Sequence, residues 1–357
     1  MRLLLLLFVA VSLFAADDTK LRIHELGKPG ADKLADLPAR YATFMSQGYG
    51  ASMPNPVFRL SDLAFLPEGR RERLDLYVSY RRDFKVRRPG VLFIHGGGFT
   101  GGDKVEYRTA SVSADLARAG YVVVSCNYVL GPKDKAGVWP RNIADCRDAV
   151  RWMRANADAL GLDPDRIAVA GGSAGGYLAL MVGLSDDQTG PGGDPQAKHS
   201  AKVSGVIDFY GVVNFSKHGK GVVPGVSAAE QAAYLPENQC DPQDPPVLIL
   251  HGTADTTVDI AQSDALAKAL RAARVSHEYV VVAGAPHRLA HEHRLREPVA
   301  DGGQANLGSL GDDAVGGPAL VVVRAGARPG AHHVAQSGVG VGAAGNNRHG
   351  VDRRRRI

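Results

Sequence analysis

Ile167-Ala168-Val169-Ala170-Gly171-Gly172-Ser173-Ala174-Gly175-Gly176-Tyr177-Leu178-Ala179-Leu180 changes character twice within 14 residues. A short apolar run, Ile167–Ala170, gives way to six residues that are all Gly, Ser or Ala. These lead into the apolar helical stretch Ala174–Leu184. A G-x-S-x-G pattern between a strand and a helix is that of a nucleophile elbow. Small neighbours let the chain turn sharply and leave the serine hydroxyl exposed, and the helix N-terminus behind it favours negative charge. A phosphate-binding loop, the other reading of a Gly-rich helix start, needs a G-x-x-x-x-G-K-[ST] spacing that this stretch lacks.

Working outward, short apolar runs alternate with helical patterns. The candidate strands are Val57–Leu66, Arg73–Tyr80, Val91–His95, Tyr121–Cys126, Ile167–Ala170, Val203–Phe209, Val247–Leu250 and Glu278–Val282. Several are unbroken β-branched runs, as expected where helices cover both faces of a sheet. Between Pro140 and Leu160, the residues Ile143, Cys146, Val150, Met153, Ala157 and Leu160 form one stripe at the helical period. Asp259–Ala273 is a second helical candidate. This alternation predicts an α/β domain with a mostly parallel sheet. Only a short stretch containing Pro67–Arg70 separates the first two strands, so the sheet is expected to start antiparallel.

A serine hydroxyl needs a base, and the base needs an orienting carboxylate. Val247–Leu250 ends in His251-Gly252-Thr253-Ala254-Asp255, and Glu278–Val282 leads into Ala283-Gly284-Ala285-Pro286-His287. Asp255 and His287 are thus expected on the sheet edge where Ser173 sits, as ligand-binding groups are in open α/β sheets. Asp259, a rival acid, reads as a helix cap, and His251 as a packed strand-end residue. Upstream, His95-Gly96-Gly97-Gly98-Phe99 follows the strand Val91–Ile94, and three consecutive glycines leave backbone N–H groups unshielded.

In combination, His95-Gly-Gly-Gly-Phe99, Gly171-Gly-Ser173-Ala-Gly175-Gly, His251-Gly-Thr-Ala-Asp255 and Gly284-Ala-Pro-His287 resemble the α/β-hydrolase superfamily. The glycine turn resembles that of hormone-sensitive-lipase-like carboxylesterases and of secreted feruloyl and acetylxylan esterases. Leu74-Asp75-Leu76-Tyr77 and Asp163-Pro164-Asp165-Arg166-Ile167 are similar to that group's second strand and the lead-in to its elbow. The resemblance spans about residues 57–287. It implies a mostly parallel eight-stranded sheet with helices on both faces and a small cap near residues 185–245.

The same resemblance implies Ser173 as nucleophile, His287 as general base and acid, Asp255 as its orienter, and the N–H groups of Gly97, Gly98 and Ala174 as an oxyanion hole. A bulky replacement of Gly98 is then expected to harm nearly as much as losing part of the Ser–His–Asp set. The expected partner is a small-molecule ester, a small acyl or a carbohydrate-linked acetyl or feruloyl ester, cleaved through an acyl-enzyme with no metal or cofactor. An amide hydrolase of the same fold (prolyl-oligopeptidase-like or arylformamidase) and a non-catalytic binding protein stay open beside it. Where the family often reads N-Y-R-L-A-P-E, this chain has Asn127-Tyr128-Val129-Leu130-Gly131-Pro132-Lys133, without the Arg and Glu that would pin that loop by an ion pair.

Met1-Arg2, the apolar run Leu3–Phe14 and Ala15-Ala16 read as a secretory signal peptide over residues 1–16, so a secreted or periplasmic location is expected. Residues 17–56 read as an N-terminal arm. No stretch is long enough for a membrane span, which needs about 20 apolar residues. Cys126, Cys146 and Cys240 are odd in number and lack metal spacing; Cys146 reads as a buried, inert thiol.

The 357 residues carry 42 Lys+Arg against 37 Asp+Glu. Residues 288–357 hold ten Arg against six acids, a net +4, so residues 1–287 are nearly neutral at +1. The excess charge therefore says nothing of a polyanionic substrate, and no nucleic-acid partner is expected. This Gly/Ala/Arg-rich tail has 13 Gly, no Lys and no Phe, Tyr or Trp. It reads as an out-of-frame translation, a disordered extension or, with less support, a basic module. His291 and His293 beside His287 lack the supporting ligands of a metal site.

Overall fold

The computed structural model describes residues 23–25, 57–79, 83–132, 138–186, 197–215, 226–227, 230–287 and 320–324, with isolated positions between 34 and 46. Residues 1–16, read from the sequence as a signal peptide, most of residues 17–56 and all of 288–357 but 320–324 lie outside these residues.

In chain order the elements are β1 (Ile23–Glu25), β2 (Val57–Leu63), β3 (Leu74–Ser79), β4 (Arg88–Ile94), α1 (Tyr107–Arg118), β5 (Val122–Cys126), α2 (Arg141–Ala155), α3 (Ala157–Leu160), β6 (Leu162–Gly172), α4 (Ala174–Leu184), β7 (Gly205–Phe209), β8 (Val247–Gly252), α5 (Ala261–Ala272), β9 (His277–Val282) and β10 (Leu320–Arg324). They form one sheet in the order β1-β2-β3-β5-β4-β6-β7-β8-β9-β10. Strand β3 is antiparallel to both β2 and β5, and from β5 through β9 the sheet is parallel.

All eight expected strands are present, and two more flank them. β1 pairs with β2 in parallel, and β10 pairs with β9 antiparallel. β10 coincides with the tail's one strong apolar run, whose β-branched residues suit a strand once the edge of β9 offers a template. The helix expected over 140–160 is interrupted at Asn156. The short α3 then ends on Gly161 in the left-handed region (φ 55°), as a helix stop favours. α1 was not expected: the glycine turn before it and its many Ser, Thr and Ala residues blur its apolar stripe. In place of a larger cap, the described part of 185–245 holds β7 and two 3-10 turns, Gln231–Tyr234 and Pro236–Asn238.

Every residue of β5, β7 and β8 is buried, because helices lie on both faces. On one face, Ile143, Cys146 and Val150 of α2 join Leu178 of α4 and Leu266 of α5. On the other, Ala114, Leu116 and Ala117 of α1 cover Val91, Phe93 and Val123. α4 is apolar nearly all round and ten of its eleven residues are buried, as befits a helix at the centre of the core. What matters for the site is register. Ile94 pairs with Gly171 and Gly172 with Phe209, so the glycine turn, the elbow and the loop after β7 emerge side by side.

Candidate active site

Ser173 sits at the β6–α4 turn with φ 59° and ψ −121°, a conformation costly for a residue with a Cβ. The surrounding glycines explain how the turn is held. A Cβ on Gly171 would stand 2.2 Å from the Gly175 carbonyl oxygen, and one on Gly175 would stand 2.2 Å from that of Ile94. The elbow is therefore clamped by backbone on both sides. The Ser173 N–H donates to the Phe209 carbonyl at 2.9 Å, fixing it to β7.

The loops after β8 and β9 are stitched together. Thr253 N–H donates to Val282 O, Ala254 N–H to Ala285 O, and Gly284 N–H to Thr253 Oγ1. Gly252 permits this, since a Cβ there would lie 2.1 Å from Ala285 O. The result brings residues 173, 255 and 287 together as the sequence predicts. His287 Nε2 is 3.0 Å from Ser173 Oγ, and His287 Nδ1 is 2.7 Å from Asp255 Oδ2. The Asp255 side chain is fully buried, while that of His287 keeps 15% exposure and Ser173 is half-buried.

Four donors fill the Asp255 carboxylate. Thr257 and Val258 N–H groups donate to Oδ1, both at 2.8 Å, and His287 and His251 face Oδ2. Burial favours the neutral acid, but the hydrogen bonds from His251 and His287 outweigh it and hold Asp255 well below the usual carboxylate range. Asp255 is thus ionised at neutral pH. Asp259 instead accepts from Ala261 N–H at 2.8 Å just before α5, a turn one residue ahead of the N-cap Ile260, and not the cap the sequence suggested.

The glycine turn lies against the elbow: a Cβ on Gly96 would be 3.5 Å from Ser173 Cβ. Gly97 has φ +116°, and a Cβ there would meet Gly101 O at 2.2 Å. Gly98 differs. At φ +63° its Cβ direction is open, so a side chain there is strained by the backbone conformation alone, whereas at 97 it also collides with backbone. His95 has a structural place in the turn. It is buried, with Nδ1 2.7 Å from Gly96 O and its ring stacked on Tyr128 at 4.4 Å.

Several supporting residues escaped the sequence reading. Phe99, also at positive φ (66°), is gripped by Trp139, Tyr177 and Phe215, with ring centroids 4.8, 5.4 and 5.9 Å away. Lys104 bonds Asp62 at 2.7 Å and the buried Asp75 at 3.1 Å, tying the segment after the turn to β3. The Tyr210 ring packs on His287 at 4.8 Å. The loop lacking the family's Arg and Glu is pinned otherwise. Tyr128 O–H donates to His95 O, Val129 N–H to Asp145 Oδ2, and Gly131 N–H to Phe99 O. Asp145 is itself paired with Arg70 at 2.6 Å. Only the strand-borne Asp75, a charge inside an apolar run, carried a sequence signal.

The sequence profile of the BD-FAE family matches residues 74–270, more than half of the chain. The chain belongs to the BD-FAE family. Beyond this BD-FAE match, the protein named "Probable carboxylic ester hydrolase LipM" of Mycobacterium tuberculosis is 29% identical over 242 residues, covering 63% of this chain and 54% of LipM. The chain spans about half the length of the curated relatives it matches. Among solved structures, Thermogutta terrifontis esterase 2, phosphonylated by cyclosarin, superposes with a TM-score of 0.54 at 29% identity, over 62% of this chain and 81% of that one. A truncated carbohydrate esterase from gut microbiota reaches 0.57 over 65% and 89%; at 23% identity it speaks for the fold alone. The BD-FAE match stops at 270 and so takes in Ser173 and Asp255 but not His287.

Among the described residues no cluster of three or more His, Cys, Asp or Glu has the makings of a metal site, and no helix is long and apolar enough to cross a membrane. Cys126, Cys146 and Cys240 are free thiols, and burial pushes Cys146 far above the ordinary thiol value.

Proposed function

We propose that the protein hydrolyses carboxylic esters through an acyl-enzyme on Ser173. The observation that carries this is the unbroken chain from Ser173 Oγ through His287 to Asp255 at the C-terminal edge of the sheet. Ser173 donates its proton to His287 Nε2 as Oγ attacks the ester carbonyl. Asp255, accepting from His287 Nδ1–H, fixes the tautomer and balances the imidazolium charge. The N–H groups of Gly97, Gly98 and Ala174 receive the oxyanion. His287 then returns the proton to the departing alcohol. Water then attacks the acyl carbonyl, giving its proton to His287, which passes it to Ser173 Oγ as the acyl–oxygen bond breaks and the acid leaves.

Small acyl groups are the favoured substrates. Thermogutta terrifontis esterase 2, solved with propionate and with butyrate bound, supports this. Acetyl and feruloyl esters on carbohydrate follow from the family resemblance. The basic, apolar N-terminus supports action outside the cytoplasm.

The test is turnover of p-nitrophenyl acetate, butyrate and octanoate and of methyl ferulate by the full chain and by Ser173→Ala. Wild-type turnover lost in Ser173→Ala upholds the proposal. Equal activity in both, or none on any ester, ends it.

A further inference from the structure

The buried face of Asp255 meets a second histidine. His251, at the end of β8, is fully buried, and its Nε2 lies 3.2 Å from Asp255 Oδ2 and 2.9 Å from the Val258 carbonyl oxygen. A carbonyl oxygen only accepts, so Nε2 must carry a proton shared between these two acceptors. In the neutral ring Nδ1 is then an acceptor, and Ser263 Oγ of α5 stands 2.7 Å from it to donate. Strand end, catalytic-loop carboxylate and helix are thus joined through one imidazole.

Without His251, the Asp255 Oδ2 atom would be held only by His287, the group it is meant to orient. The two N–H bonds on Oδ1 fix the carboxylate at one oxygen and leave rotation about that hinge. A second donor on Oδ2 removes this freedom. The other groups facing the ring are Asp208 of β7, which acts on it through charge, and the edge of Tyr210 at 6.4 Å. Neither offers a substitute donor to Oδ2.

We infer that His251 is a positioning residue for the reaction. Its Nε2–H locks the Asp255 carboxylate in the plane that aims His287 at Ser173, and Ser263 locks the tautomer that makes this possible. The inference rests on the serine-hydrolase reading for its kinetic consequences, but not for the hydrogen bonding itself.

Full-length His251→Phe, His251→Gln and Ser263→Ala test it. Glutamine can place an N–H donor where Nε2 stands, whereas phenylalanine keeps the ring and loses the donor. With p-nitrophenyl butyrate, His251→Phe is expected to lower kcat about 10- to 100-fold with KM within about twofold. His251→Gln should recover kcat to within about threefold of wild type, and Ser263→Ala should fall between the two. In proton NMR, the downfield resonance of the His287–Asp255 hydrogen bond should move in His251→Phe and stay in His251→Gln. A wild-type kcat with an unmoved resonance in His251→Phe overturns the inference, as does a folded His251→Gln as slow as His251→Phe. If His251→Phe does not fold, a wild-type kcat in Ser263→Ala overturns it. If wild type cleaves no ester the hydrolase reading fails, and the resonance alone decides the role of His251.

Discussion

Adding one methyl group to the glycine turn should have opposite consequences at two adjacent positions. In Gly97→Ala the new Cβ would stand 2.2 Å from Gly101 O, 2.5 Å from Gly101 C and 2.9 Å from Gly102 N, all backbone atoms. Ordinary contact with a carbonyl oxygen is more than 3 Å, so the turn must give by about 1 Å. The φ of +116° adds strain, being outside the narrow left-handed well open to L-residues. The loop cannot yield freely, because Gly101 N–H donates to Gly97 O at 3.1 Å and Phe99 is anchored among aromatic rings.

A displacement of about 1 Å in a reacting geometry costs on the order of 10² in rate, and losing an oxyanion donor costs about 10²–10³. Gly97→Ala is therefore expected to lose about 10²–10³ in kcat/KM. In Gly98→Ala the methyl enters open space at φ +63°, which costs about 1–2 kcal/mol of stability and leaves the N–H in place. Its kcat/KM should stay within about fivefold of wild type. Steady-state kinetics with p-nitrophenyl butyrate, with thermal melts on the same samples, separate the two. If Gly97→Ala keeps wild-type kcat/KM, or Gly98→Ala falls as far as Gly97→Ala, the argument from Cβ space is wrong.

Other substitutions probe other links. Asp255→Asn should keep the fold and lower kcat by about 10⁴, since an amide cannot hold the required His287 tautomer and charge; retention of more than a tenth of the activity would contradict the assigned role. Because Asp255 sits well below the ordinary carboxylate range, its stabilising effect is present above its unfolded value and is lost only as pH falls below it. The acid limb of kcat/KM should consequently carry a single proton; a two-proton slope would count against it. Asp208 behaves in the reverse sense: burial pushes it up to about 7. The native state holds its proton between about pH 4 and 7, so its contribution is complete below that window and declines as pH rises through it. Asp208→Asn should flatten that part of a melting-temperature profile, and an unchanged slope would refute it. Lys104→Met should cost about 3–5 kcal/mol in urea unfolding by leaving the buried Asp75 without its closest cation; a loss below about 1 kcal/mol would show the pair to be idle.

The aromatic grip on Phe99 is a tertiary fact that no local motif announced. Phe99, Trp139, Tyr177 and Phe215 come from four separate segments, and each alone reads as an ordinary core residue. Lys104 is similar, since its partners Asp62 and Asp75 precede it by 42 and 29 residues. Gly97 and Gly98 are alike in the sequence but unlike in space, because the chain folds back on one and away from the other.

What the sequence determined by itself was the eight central strands, the helices α2, α4 and α5, and the delivery of Ser173, Asp255 and His287 to one edge of the sheet. Apolar periodicity is local, and a residue at a strand's C-terminal end is delivered to one edge of a parallel sheet wherever that strand lies. The tertiary structure alone decided what surrounds those side chains. It placed His251 on Asp255, Tyr210 on His287 and the backbone of residue 101 against Gly97. Such contacts join segments far apart in the chain, or depend on a turn whose direction packing sets. Distances of a few tenths of an ångström then decide whether a neighbour donates a hydrogen bond, packs, or collides.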